Sequence, residues 1–117
     1  MKKSLERFIT ALIIIAILVL SMFIILNKPA PQTSSDIAKC IGKNSLLYVQ
    51  TGCSHCKDQE DLFGNNTQYL NMIDCIQTEN QQKCISAGIQ GTPTWIIKNQ
   101  SYEGVQTIEK LKQLTGC

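Results

Sequence analysis

The stretch Thr51-Gly52-Cys53-Ser54-His55-Cys56-Lys57-Asp58-Gln59-Glu60-Asp61-Leu62-Phe63-Gly64 decides how the rest of the 117-residue chain is read. It carries two cysteines with two residues between them, directly behind residues 45–50 (SLLYVQ). That run has apolar residues on both faces, as a central strand requires. Residues 57–63 are good helix formers, closed by Gly64-Asn65-Asn66. A dithiol between a strand and a helix is the setting that redox chemistry needs. The helix N-terminus aims unpaired N–H groups and partial positive charge at Cys53, which lowers its pKa and favours the thiolate. The spacing lets Cys56 reach back and attack a mixed disulfide on Cys53. A protonated His55 would stabilise the Cys53 thiolate further, and stabilising the reduced form makes the disulfide a stronger oxidant. The competing readings are a static disulfide and half of a zinc site. Zinc would draw its second pair from Cys75 and Cys84, whose eight-residue gap suits it poorly, so no metal is assigned.

Outward from the dithiol, residues 36–41 before Gly42 read as a short helix with a Ser or Asp cap and a glycine stop. Residues 69–75 read as a second strand and residues 79–87 as a helix ending at Gly88. Residues 94–97 (TWII) form a third strand, Asn99-Gln100 a turn, and residues 101–103 a short fourth strand. Thr107 caps a last helix with apolar Ile108, Leu111 and Leu114. Alternating elements with a terminal hairpin predict an α/β domain, a mixed four-stranded sheet covered by helices.

The N-terminal part is different in kind. Residues 8–26 are apolar except for Thr10 and Ser21. As a helix they would span about 28 Å, close to the ~30 Å hydrocarbon core of a bilayer. A cleavable signal peptide has a shorter apolar stretch, ~7–15 residues, and a small-residue site behind it, which Asn27-Lys28-Pro29-Ala30-Pro31 does not offer. The expected organisation is a cytoplasmic N-terminus at 1–7, an uncleaved single-pass anchor at 8–26, a linker at 27–35 and the folded domain at 36–117. Lys2, Lys3 and Arg7 precede the span, which favours the N-terminus inside and the domain outside. Residues 1–28 carry a net charge of +3 and the remainder −1, so the basic balance belongs to the anchor region. No basic patch points to nucleic acid.

The motifs TGCSHCKDQEDLFG, YLNMIDC, KCISAGIQGTPTWII and YEGVQTIEKL are spread along residues 45–114. Together they resemble a compact thioredoxin fold, closest to the thioredoxin-like domains associated with bacterial and archaeal vitamin K epoxide reductase homologues. The resemblance implies that Cys53 exchanges disulfides with partners and that Cys56 resolves the mixed disulfide. It implies a cis peptide before Pro93, which stands 37 residues beyond Cys56, with Thr92 offering backbone contacts to a bound substrate strand. It also implies a quinone-reducing membrane oxidase as redox partner; no cofactor is expected. Two departures are Gly52, where thioredoxins commonly carry tryptophan, and the lack of a buried acid in strand 45–50. Both favour an oxidase over a thioredoxin-type reductase.

The domain carries all six cysteines, and a core this small normally needs a staple. Cys75 and Cys84 read as a structural disulfide closing a short loop, with a second redox pair as the alternative. Cys40 and Cys117 bracket the domain, and pairing them would tie its first helix to the C-terminus. Six cysteines leave the connectivity open. The expected activity is that of an extracytoplasmic thiol–disulfide oxidoreductase that oxidises substrate thiols. A reductase or isomerase of the same fold, a CxxC metallochaperone and a non-catalytic interaction domain are the rivals.

Overall fold

The structure, a computed structural model, describes residues 1–27 and 33–117. Most of the expected linker, residues 28–32, lies outside the described residues. The chain divides into an N-terminal unit and a folded unit from Gln32 to Cys117.

The N-terminal unit is one helix, α1 (Lys2–Leu26), long and apolar enough to cross a membrane. Its two hydroxyls inside the apolar run are satisfied locally. Thr10 Oγ1 donates to the carbonyls of Glu6 and Arg7, and Ser21 Oγ donates to that of Leu18. Such bonds leave no side-chain polar group of the span needing water.

The folded unit runs α2 (Ser35–Lys43), β1 (Leu46–Val49), α3 (Ser54–Asp61), a 3-10 helix (Gly64–Tyr69), β2 (Met72–Asp74), α4 (Thr78–Ser86), β3 (Thr94–Ile97), β4 (Gln100–Glu103) and α5 (Ile108–Thr115). Among the described residues the strands form one mixed sheet in the order β2-β1-β3-β4. β1 pairs parallel with β2 and antiparallel with β3, and β3–β4 is a hairpin. The expected α/β class and mixed four-stranded sheet are therefore present.

The core explains the order. Leu47 and Val49 of β1 and Trp95 and Ile97 of β3 alternate onto one face, where they meet Ala38 and Ile41 of α2, Cys56 of α3 and Leu111 of α5. Phe63 closes the cluster, its ring centroid 6.1 Å from that of Trp95. α2 and the C-terminus are joined by the Cys40–Cys117 disulfide, Cα–Cα 5.9 Å. Cys75 and Cys84 form a second disulfide between the end of β2 and α4.

Several boundaries differ from the sequence reading. Gly42 does not stop α2: it lies buried within the helix, where a Cβ would overlap the Tyr69 carbonyl oxygen. The glycine serves close packing rather than chain reversal. α2 also starts at Ser35, capped by Ser34, so the edge expected at 36 falls inside the first turn. Residues 69–75 are not one strand. Residues 64–69 wind as a 3-10 helix braced by Thr67 Oγ1 on the Gly64 carbonyl, and pairing with β1 begins only at Met72. The hairpin turn sits at Lys98-Asn99, both with positive φ, because Gln100 already pairs with Ile97. α3, by contrast, opens at the dithiol as the sequence reading expects, with Cys53 itself as its cap.

Candidate functional site

β1 ends at Val49, and the chain must turn sharply to start α3. Gly52 takes φ +87°, a left-handed conformation that glycine adopts without strain, and the Cys53 N–H donates to the Gln50 carbonyl at 3.0 Å. That turn puts Cys53 at the N-cap of α3 with its sulfur facing the first helical N–H groups. The Cys56 N–H donates to Cys53 Sγ at 3.2 Å. Cys56 is one turn further on and only 3% exposed, whereas Cys53 is half-buried. Both are free thiols, unlike the other four cysteines.

The second wall of the site is the loop before β3, where the Thr92–Pro93 peptide is cis. Cys53 Sγ lies 3.5 Å from the Thr92 carbonyl oxygen and accepts from Thr92 Oγ1 at 3.6 Å. Thr92 thus contacts the cysteine itself. The Pro93 carbonyl accepts the Gly104 N–H at 2.8 Å, which ties this loop to the chain between β4 and α5.

These contacts separate the two thiols chemically. Partial burial pushes the Cys53 thiol up. It is outweighed by hydrogen bonds from the Cys56 and Thr92 side chains and from the Cys56 and His55 peptide N–H groups, so the pKa falls below the ordinary thiol value. Burial pushes the Cys56 thiol up, and its hydrogen bond to Cys53 adds to the shift. The pair therefore has an outer thiol poised to ionise and an inner thiol held neutral. The two titrate together, and the first proton lost belongs mainly to Cys53.

The His55 ring points away into solvent, 73% exposed, with Nδ1 3.4 Å from Asp58 Oδ2. Its peptide N–H, rather than its ring, is what the Cys53 sulfur meets. Pro93, next to Thr92, is buried. Cys75 and Cys84 line a small pocket of about 110 Å³ together with Gln50, Gly91 and Thr92, which places their disulfide next to the cis-proline loop. Cys40 and Cys117 take no part in the site.

Asp74 and Thr51, which the sequence reading gave no role, also shape it. Asp74, at the end of β2, accepts from the Thr51 hydroxyl and from the Thr51 N–H at 3.2 Å, and from the Ile76 N–H at 3.1 Å. The Thr51 hydroxyl and those two N–H groups outweigh slight burial and hold the Asp74 carboxyl below its usual range. This clasp joins the loop before the dithiol to the segment carrying Cys75. An open cleft of about 590 Å³ is lined by Gly52, Cys53, Cys56, Glu60 and Asp74 among others. Residues 23 apart reach each other here only because of the β1–β2 register, in which Val49 pairs with Asp74. Local sequence holds no sign of it.

No family model matches the chain. It is 32% identical over 97 residues to the thiol-disulfide oxidoreductase LTO1 of Arabidopsis thaliana. The match covers 73% of this chain and 26% of that relative, so the chain spans about a quarter of the relative's length. Sheet, flanking helices and similarity together fit a thioredoxin-like fold.

Proposed function

We propose that this chain is a membrane-anchored thiol–disulfide oxidoreductase whose working pair is Cys53–Cys56. The observation that carries the reading is the division of the six cysteines: four are tied in disulfides, and two remain free at a helix N-terminus with pKa values driven apart. The similarity to a plant thiol-disulfide oxidoreductase supports the same chemistry.

In the oxidising direction, a substrate thiolate attacks Cys53 Sγ of the Cys53–Cys56 disulfide. The Cys53–Cys56 bond breaks, a mixed disulfide forms on Cys53, and Cys56 leaves as a thiolate that takes a proton through the cleft. A second substrate thiolate then attacks the substrate sulfur of the mixed disulfide. The substrate leaves as a disulfide, and Cys53 leaves as its stabilised thiolate. Two electrons have moved from substrate to protein. A low-pKa leaving thiol speeds this last step and makes the disulfide more oxidising, which favours oxidation over reduction. Reduction or isomerisation of substrate disulfides would run the same exchanges backwards from the Cys53 thiolate.

The reduced pair must be reoxidised. We assign that step to a membrane oxidase resembling a vitamin K epoxide reductase homologue, which would accept the two electrons. The anchor at 8–26, with Lys2, Lys3 and Arg7 before it, would leave residues 1–7 cytoplasmic and residues 36–117 on the extracytoplasmic face. There the thiols of substrate proteins are the reactants.

The test is trapping. In the full-length chain, Cys56→Ala should accumulate mixed disulfides on Cys53 that reductant releases. Mass spectrometry of the released proteins would identify both substrates and oxidase. No adducts, or equal adducts in the Cys53→Ala/Cys56→Ala control, would overturn the reading. A Cys53–Cys56 couple as reducing as about −270 mV would overturn the oxidising direction alone.

A further inference from the structure

Gln59 is wholly buried, one turn beyond Cys56 on α3. Three hydrogen bonds hold its amide. Oε1 accepts from the Trp95 indole N–H at 3.0 Å and from the Gln106 peptide N–H at 2.7 Å, and Nε2 donates to the Gln106 carbonyl at 3.1 Å. An amide in the centre of so small a core is costly unless every bond is made. An apolar side chain with apolar neighbours would fill the same space at no such cost. What the amide adds is direction: one side chain fixes three separate pieces of backbone relative to each other.

Those three pieces are the ones that build the redox site. α3 carries Cys53 at its cap and Cys56 in its first turn. Trp95 lies two residues beyond the cis Thr92–Pro93 peptide. Gln106 belongs to the loop whose Gly104 N–H holds the Pro93 carbonyl, and its own side chain closes that loop on the carbonyls of Glu103 and Gly104. Gln59 therefore joins the helix holding both sulfurs to the loop holding Thr92 by two routes. Both converge on the contacts between Thr92 and Cys53.

We infer that Gln59 is a positioning residue for the dithiol: through Trp95 and Gln106 it keeps Thr92 in hydrogen-bonding reach of Cys53 and so maintains the Cys53 thiolate. The inference rests on the reading of Cys53–Cys56 as the working pair. Without the amide, α3 and the cis-proline loop are no longer locked in register, and the Thr92 hydroxyl lies off the sulfur. The thiolate is then less stable, so the reduced form is less favoured and the disulfide becomes a weaker oxidant.

The experiment uses the full-length chain in detergent micelles, with Gln59→Met as an amide-free side chain of similar length. Trp95→Phe is the second variant, keeping an aromatic ring while removing a single donor. Two quantities are read: the pH midpoint of Cys53 alkylation, followed by mass spectrometry, and the Cys53–Cys56 equilibrium with glutathione. Gln59→Met should raise the midpoint by about one pH unit, a tenfold effect. It should shift the glutathione equilibrium about tenfold toward the protein disulfide, which is about 30 mV for a two-electron couple. Trp95→Phe should move both in the same direction by about threefold. Loss of stability alone moves neither in protein that is folded. If both variants keep the wild-type midpoint and equilibrium within about 1.5-fold, the positioning role is refuted; if Gln59→Met does not fold, Trp95→Phe decides by the same criterion. A wild-type pair that never equilibrates with glutathione would refute the dithiol reading instead, while the alkylation midpoints still judge Gln59.

Discussion

Replacing Cys40 and Cys117 together by alanine opens a closed loop spanning 77 positions, nearly the whole folded unit. In the chain-entropy model a cross-link of that length removes about 15 cal/mol/K from the unfolded ensemble, or about 4.5 kcal/mol at 25 °C. The Cys75–Cys84 link spans only 9 positions and by the same relation contributes about 2.6 kcal/mol. A domain of this size has a total stability of about 4–13 kcal/mol, so losing the larger loop removes much or all of it. The assay is urea unfolding of the full-length chain in micelles, followed by Trp95. That residue is the only tryptophan in the sequence and is 1% exposed in the core, so its emission reports the folded unit. With a denaturant slope of about 1–1.5 kcal/mol per molar, the Cys40→Ala/Cys117→Ala midpoint should fall by roughly 3–4.5 M. The Cys75→Ala/Cys84→Ala midpoint should fall by roughly 2 M. A loss under about 2 kcal/mol for the long loop, or a larger loss for the short one, would refute the assignment of Cys40–Cys117 as the main staple.

Four further outcomes are expected. Cys53 alkylation in the reduced protein should be half-maximal below the ~8.5 of a free cysteine, with Cys56 reacting only at higher pH; equal midpoints would contradict the separation of the two thiols. Cys75→Ala/Cys84→Ala should leave the Cys53–Cys56 equilibrium with glutathione within about twofold, because a scaffold disulfide passes no electrons; a tenfold shift would favour a relay. Asp74 has a lowered pKa, so its contribution is present above the ordinary carboxyl value of about 3.9 and is lost as pH falls through the lower folded value. The stability difference between wild type and Asp74→Asn in urea unfolding should accordingly be seen at pH 6 and shrink on acidification below about pH 4. Gly42→Ala should destabilise the domain by about 1–3 kcal/mol in the same assay, since its Cβ would meet the Tyr69 carbonyl.

Much of the fold was legible because its elements obey local rules. The apolar run at β1, the dithiol behind it and the alternation of strands and helices each follow from period and spacing. So does the Thr107 cap, whose hydroxyl accepts the Lys110 N–H at 3.3 Å. What misled was local chemistry with two physical meanings. Gly42 reads as a helix stop because glycine ends helices, but here the missing Cβ admits the Tyr69 carbonyl. Tyr69 and Leu70 read as strand by propensity, yet the 3-10 turn holds the first, and β1 pairs only from Met72. His55 reads as the cation beside Cys53, yet Asp58 three residues on offers its ring a partner in solvent.

By itself the sequence determined the chemistry available: two thiols at a helix start, a proline ahead of an apolar strand, four further cysteines and one apolar helix of membrane length. Spacing alone was enough for these, since a helix N-terminus and a CxxC pair act over a single turn. Only the tertiary structure decided which cysteines pair. It alone brought Thr92 to Cys53 across 39 residues, Asp74 to Thr51, and Gln59 to Trp95 and Gln106. Each of those contacts depends on strand register and core packing, which are set by the chain as a whole, so no window of sequence carries them.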